Sequence, residues 1–318
     1  MKRIVAASVM ILAANLANSA LADVIIDRFP DFSGAICNGA DLTCNGNAAL
    51  VTTSDGRVLR LTPALFNQSG SAFSTSQIAL GAGDTFSTFF QFRFTQPGGI
   101  DPADGITFTL QTVSNTAGGA GGGMGYAGLT PSVAIEFDTF NNGGNDGNSS
   151  NHIAIDIDGH IIDGTSQSDQ DLLNVFGNQF CDFGSGATNY TRFGCMSNGD
   201  LWSVWIDYNG STLGVAIADG GPSGTLTRPA TNIINNFPID IGSILGQNSA
   251  FVGFTAGTGA GTENHDLRDW IFDNTFAPIT PPGASVPEPS TWALLCAGLA
   301  CIGLMRKRGR TPIRIATP

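Results

Sequence analysis

Over residues 23–277 the chain alternates short runs of β-branched and aromatic residues with clusters of Gly, Asn, Ser and Asp. No stretch carries an apolar stripe at helical spacing. Sheets are then the available way to bury apolar surface, and 42% hydrophobic content supplies a sizeable core. Candidate strands lie within residues 48–62, 86–95, 105–113, 132–140, 152–159, 201–218 and 249–257. Strands at this spacing with no helical partner predict an all-β antiparallel sandwich or jelly roll. Asn209-Gly210 should supply the positive φ angles of a tight hairpin turn between the two strands of 201–218. Residues 163–177 have room for one short helical turn. Trp202, Trp205 and Trp270 read as core or edge packing.

Residues 133–159 break the apolar pattern of a strand with two acids. Glu136 and Asp138 are two apart, so they project from one face about 7 Å from each other. Carboxylates that close repel unless a proton or cation intervenes. Asn142 and Asp146 follow in a Gly-rich bend, and His152 opens the next run. Oxygen ligands alone suit Ca²⁺, and carboxylates with one imidazole suit Mn²⁺ or a similar ion. The spacing is not that of an EF-hand: counting from Asp138, position three is Phe140 and position twelve is Ser149. The competing reading is a solvated turn with a histidine capping a strand.

Both ends of the chain are basic, with Lys2 and Arg3 at the start and Arg306, Lys307, Arg308, Arg310 and Arg314 at the end. These are seven of 14 basic residues, leaving seven arginines and no lysine in the body against the chain's 26 acids. Such a body excludes nucleic acid as a partner. Residues 1–22 have a basic start, an apolar run and a small-residue site at Ala20–Ala22, the pattern of a secretory signal peptide. Cys37 with Cys44 and Cys181 with Cys195 form two local pairs, which in an exported domain favour disulfides over a zinc site.

The C-terminal segment presents Pro287-Glu288-Pro289, an apolar run short for spanning a bilayer, and a basic cluster, in that order. It resembles the PEP-CTERM sorting signal of Gram-negative bacteria. That resemblance implies recognition by an exosortase-type enzyme, a short apolar helix contacting the membrane, and location in the cell envelope, outer surface or extracellular polysaccharide matrix. The expected order is a signal peptide (1–22), the β-sandwich (23–277), a Pro-rich linker (278–286), the sorting and transmembrane segment (287–310) and a basic cytoplasmic tail (311–318).

The acids and loop of 133–159 resemble the metal-binding segment of the legume (L-type) lectins, a concanavalin A-like family. Seven further pieces match in order: 47–62, 68–80 and 86–94 as opening strands, then 103–110, 121–126, 204–218 and the closing motif 252–273. The resemblance implies Glu136, Asp138, Asp146 and His152 as transition-metal ligands. It implies Asp138, the Phe140 carbonyl, Asn142 and Asp146 as calcium ligands. Asp104, joined to Ala103 by a cis peptide, would accept hydrogen bonds from sugar hydroxyls. Gly123 would offer a backbone N–H, Asn142 its side-chain amide, and Phe140 a ring for the apolar face of a pyranose. The loop from Gly257 through Gly261 to Asn264 would set specificity. The expected function is calcium-dependent, or calcium- and manganese-dependent, carbohydrate binding. Single sites of this kind are weak, so several copies on one surface or in a homo-oligomer would add avidity.

Two other functions fit the same fold. One is a structural surface or matrix protein that binds no sugar. The other is a glycoside hydrolase, which needs a second carboxylate near the first. Here positions 140 and 141, where that acid is expected, are Phe and Asn.

Overall fold

The computed structural model describes residues 24–116, 121–161, 170–183 and 189–284. The signal peptide, the sorting segment with its apolar helix, and the basic tail lie outside the described residues.

Sixteen strands are present among the described residues. The first eight are β1 (Val24–Arg28), β2 (Leu42–Gly46), β3 (Ala49–Thr53), β4 (Gly56–Thr62), β5 (Ser69–Ser74), β6 (Ile78–Ala79), β7 (Phe86–Gly99) and β8 (Gly105–Gln111). The rest are β9 (Ser132–Asp138), β10 (His152–Ile157), β11 (Gln170–Asn174), β12 (Trp202–Tyr208), β13 (Thr212–Asp219), β14 (Ile234–Pro238), β15 (Ser249–Gly257) and β16 (Gly261–Asp273). One sheet runs β14-β13-β12-β7-β16-β4-β3, with β1 also on β16; the other runs β11-β10-β9-β8-β15-β5-β2, with β6 also on β15. All the strand pairings are antiparallel. The all-β sandwich expected from the alternating pattern is therefore the fold.

The two sheets enclose an aromatic core. Phe90 meets Phe254 edge-on at 4.9 Å and Phe137 at 5.7 Å, and Phe254 meets Trp270 at 5.0 Å. Rings packed in this way add about 0.5–1.5 kcal/mol per pair beyond their burial. Trp202, Trp205 and Trp270 are fully buried, as expected.

Strand β9 shows how alternation builds the site. Val133, Ile135 and Phe137 join the inter-sheet core, while Ala134 packs on the other face with Phe73, Tyr126 and Leu129. Glu136 and Asp138 share the parity of Ala134 and so leave the apolar core for that second face. Asp138 stands opposite Gly105 of β8 on one side and His152 of β10 on the other.

Local expectations fared unevenly. Both disulfides, Cys37–Cys44 and Cys181–Cys195, are formed. In the β12–β13 hairpin only Gly210 takes a positive φ, 94°. Asn209 instead flanks the turn, its Oδ1 accepting the N–H groups of Ser211 and Thr212 at 3.0 and 2.8 Å. In the described part of 163–177, residues 170–177, a 3-10 turn lies at Val175–Gly177 and Gln170–Asn174 pairs with β10 as a strand. The Pro-rich stretch is no free linker as far as it is described. Ala277 N–H donates to Ser87 Oγ at 3.0 Å, and Ile279 packs with Phe29 and Leu226 on the outer-face cluster of Phe89, Trp205, Ala216 and Ile271. Its apolar residues cover rings that β7 and β12 turn away from the core, which composition alone does not reveal.

Candidate functional site

The pairing of β9 with β10 brings Glu136, Asp138 and His152 together. One potential ligand atom from each lies within 4.8 Å of the others, and all three residues are buried. His152 Nε2 is 3.2 Å from Glu136 Oε1. The loop between the strands folds back over them. Phe140 N–H donates to Asp138 Oδ1 at 2.7 Å, Asn141 Oδ1 accepts the Gly143 N–H, and Asn142 N–H donates to the Asp146 carboxylate. A 3-10 turn at Gly143–Asp146, closed by Gly147 at φ 58°, directs Asp146 inward, where it is buried.

Four buried atoms in this region have no hydrogen-bond partner: Asp104 Oδ2, Glu136 Oε2, Asp138 Oδ2 and His152 Nδ1. Buried polar atoms left unpaired cost about 1–3 kcal/mol each, more for charged groups. Burial, reinforced by Asp146 and Glu136, pushes the Asp138 carboxyl well above the usual range. Burial also raises Asp146 to about 6, against the pull of the Asn142 N–H. Hard oxygens, one imidazole and unpaired buried acids are the donor set a divalent cation satisfies, so these residues fit a metal.

Asp104 approaches from the neighbouring strand end. Its peptide with Ala103 is cis, as the resemblance implied. The Asp104 N–H donates to Gly257 O at 3.1 Å, and its carbonyl accepts from Thr139 N at 3.0 Å. Burial raises its carboxyl to about 6, with His265 opposing and Glu263 and Asp146 adding to the rise. Asp104 is thus pinned between the metal loop and the end of β15.

Two glycine-rich segments close around Asp104 and Asn142. A Cβ added to Gly122 would lie 3.4 Å from Asn142 Nδ2, and one added to Gly259 would lie 3.5 Å from Asp104 Oδ2. One on Gly257 would strike the Gly121 carbonyl at 2.5 Å. Gly123, the expected donor, turns its Cβ position toward Ala127 at 2.8 Å, so Gly122 is the glycine facing Asn142. The loop expected from Gly257 to Asn264 is shorter than the sequence suggests. Gly257 ends β15 and Gly261 begins β16, leaving Thr258, Gly259 and Ala260 as the connection. Gly261 instead packs against Asp101 and Ala103. Phe140 is half-buried and Asn142 exposed at the mouth of the site.

Two supporting residues escaped the sequence reading. Glu263 and His265 are fully buried beneath the loop. Thr139 Oγ1 donates to Glu263 Oε1 at 2.6 Å, and Thr62 Oγ1 lies 2.5 Å from His265 Nδ1. The available signal was a charged Glu-x-His ahead of Leu267 on one face of β16. The second disulfide segment also braces the metal loop. Gln179 Nε2 donates to the Gly147 and Asn148 carbonyls at 3.0 Å, and Cys181 N–H donates to Ser150 Oγ.

Known proteins are similar to this chain in sequence and fold. The legume lectin domain model matches residues 28–285, and the PEP-CTERM protein-sorting motif matches residues 285–308. The bark lectin of Styphnolobium japonicum is 28% identical over 84% of this chain and 90% of its own. The L-type lectin-domain containing receptor kinase VIII.1 of Arabidopsis thaliana is 29% identical over 74% of this chain, which spans only 28% of that kinase. Among solved structures, basic winged bean lectin with Tn-antigen superposes with a TM-score of 0.54 at 27% identity, over 74% of this chain and 92% of its own. The lectin from Bauhinia forficata in complex with GalNAc shares the fold, with a TM-score of 0.56 at 21% identity over 78% and 96% of the two chains. With a family model covering most of its length and the same sandwich beneath it, the chain belongs to the legume lectin domain family.

Proposed function

We propose that this protein is a calcium-dependent carbohydrate-binding protein of a Gram-negative cell envelope or exopolysaccharide matrix. The reading is carried by one observation: Asp104, Asn142 and the turns at Gly121–Gly123 and Thr258–Ala260 converge directly above partnerless buried acids. Asp138, Asp146, Asn142 and the Phe140 carbonyl would hold calcium, and Glu136 and His152 would complete a second, manganese-type position. A bound cation supplies the positive charge that lets these carboxylates remain ionised together.

The chain's own residues then do the binding. Asp104 accepts hydrogen bonds from sugar hydroxyls, the Asn142 amide and a backbone N–H of the Gly-rich turn donate them, and Phe140 packs on the apolar face. No bond is broken. The site is shallow and polar, so its affinity depends on being ordered before the sugar arrives. The lectin likeness and the winged bean and Bauhinia complexes support a carbohydrate ligand.

The sorting motif supports export and handling by an exosortase-type enzyme. We assign residues 1–22 as signal peptide, the sandwich as the exported domain, and the segment from 287 as the sorting and membrane contact. The test is a glycan array probed in calcium and again in chelator. Calcium-dependent signals that vanish in Asp104→Ala, with a cooperative melting transition retained, support the reading. Equal signals for the two proteins would refute it, and new reducing ends from oligosaccharides would point to hydrolysis instead.

A further inference from the structure

His152 is buried with one ring nitrogen engaged. Its Nε2 lies 3.2 Å from Glu136 Oε1, while its Nδ1 has no hydrogen-bond partner among the described residues. A histidine that holds a metal ordinarily donates its second ring N–H to a carbonyl or carboxylate, which fixes the ring's orientation. Here the ring takes its direction instead from packing and from the main chain that carries it.

The residue before His152 anchors that main chain. Asn151 is fully buried, and its side-chain amide is fully engaged. Nδ2 donates to Gly194 O at 2.7 Å and Asn178 O at 3.1 Å, and Oδ1 accepts the Met196 N–H at 2.9 Å. The Asn151 carbonyl accepts the Val175 N–H at 3.0 Å. Asn178 precedes Cys181, and Gly194 and Met196 flank Cys195, so one amide grips both sides of the Cys181–Cys195 disulfide. The gripped segment is itself fixed. Val175 and Met196 belong to the inter-sheet core, both cysteines are buried, and Gly194 N–H donates to Asp219 Oδ2 at 2.9 Å at the end of β13. Asp146, by contrast, is set within its own loop. Its carboxylate accepts the Asn142 N–H, and its 3-10 turn is closed by the Asn148 N–H on Gly143 O at 2.7 Å.

Resting on the carbohydrate reading above, we propose that Asn151, held against the disulfide-bridged segment, is the positioning residue for His152 and so sets affinity at the second, manganese-type position. It touches neither ion nor sugar. It fixes where β10 begins, and with it the direction of the imidazole toward Glu136. The residues assigned to calcium, Asp138, the Phe140 carbonyl, Asn142 and Asp146, lie before this anchor in the chain and are ordered by the bonds of the loop itself. Loss of the Asn151 amide therefore acts on one ion and spares the other. Outer partners of metal ligands are worth about ten- to hundredfold in metal affinity.

The test titrates Mn²⁺ into the calcium-saturated protein, following free Mn²⁺ by electron paramagnetic resonance, and titrates calcium into the metal-free protein by calorimetry. Asn151→Ala should weaken Mn²⁺ about ten- to hundredfold and calcium less than roughly threefold. That variant leaves buried main-chain groups without partners and can fail to fold, so Cys181→Ala/Cys195→Ala supplies a second reading. It loosens the segment that Asn151 grips and should weaken Mn²⁺ roughly three- to tenfold, with calcium again spared. Equal weakening of the two ions in a folded variant marks a general loss of structure and overturns the proposal, as does an unchanged Mn²⁺ affinity. An unaltered protein that binds calcium but no Mn²⁺ overturns it too, while leaving calcium-dependent glycan binding standing. Failure to bind calcium overturns both.

Discussion

Calcium should offset much of the stability that rising pH removes. In the metal-free fold, burial holds Asp104 and Asp146 at about 6, against an ordinary value of 3.8. Their folded values are raised, so the folded state binds more protons than the unfolded chain between about pH 4 and 6. Their contribution is present in full below about pH 4 and is lost as pH rises through 6. Each shift of about two units corresponds to roughly 3 kcal/mol. Their shared neighbours reduce the pair to about 3–4 kcal/mol. At about 2–4 °C per kcal/mol for a domain of this size, Tm in chelator should fall by roughly 6–16 °C between pH 4.5 and 7.5. Calcium requires the carboxylates deprotonated, so its stabilisation grows over the same interval. At a hundredfold excess over Kd it reaches about 2.7 kcal/mol, or roughly 5–11 °C. Differential scanning calorimetry of one preparation, with calcium and with chelator, cancels the contributions of all other groups. Parallel Tm profiles would refute the reasoning, because they would mean the acids do not exchange protons for a cation.

Three further outcomes follow from the same geometry. Asp138→Ala should lose both calcium binding, seen by elemental analysis, and retention on a glycan column, because Asp138, like Asp146, would serve both metal positions. Gly259→Val should reduce glycan retention at least tenfold with little change in Tm, since the new side chain starts 3.5 Å from Asp104 Oδ2 on a part-exposed turn. Asp269→Asn should stabilise the fold by a few kcal/mol at pH 9 and little at pH 4. Burial raises that carboxyl to about 8, so its contribution is lost as pH rises through 8, and the amide removes the loss; urea titrations at the two pH values would check it.

Much of the sandwich was legible because strand alternation is local. Residues 132–138 announce one apolar face, and Glu136 and Asp138 must share the other. The meeting of His152 with that pair was also legible, since a hairpin aligns the ends of adjacent strands. What the sequence concealed comes from segments far apart in the chain. Gly122 facing Asn142 and Gly259 facing Asp104 depend on the approach of two turns that no local pattern encodes. Glu263, inside the stretch expected to be a loop, and His265 carry no local mark of a role until β16 places them under Thr139 and Thr62. The Pro-rich stretch after β16 has a linker's composition, yet rings that β7 and β12 turn away from the inter-sheet core give it somewhere to pack. In the Asn209-Gly210 pair, the residue types marked the turn correctly while the asparagine took the flanking position.

The account stands on coupling between a cation held by Asp138 and its neighbours and a sugar held by Asp104. The direct measurement is calorimetric titration of a binding glycan, identified on the array, into the protein with and without calcium, and of calcium with and without that glycan. Binding linkage requires the two enhancement factors to be equal. The account predicts a large, reciprocal enhancement that disappears in Asp138→Ala. Equal glycan affinity in the metal-free and calcium-loaded protein would contradict it.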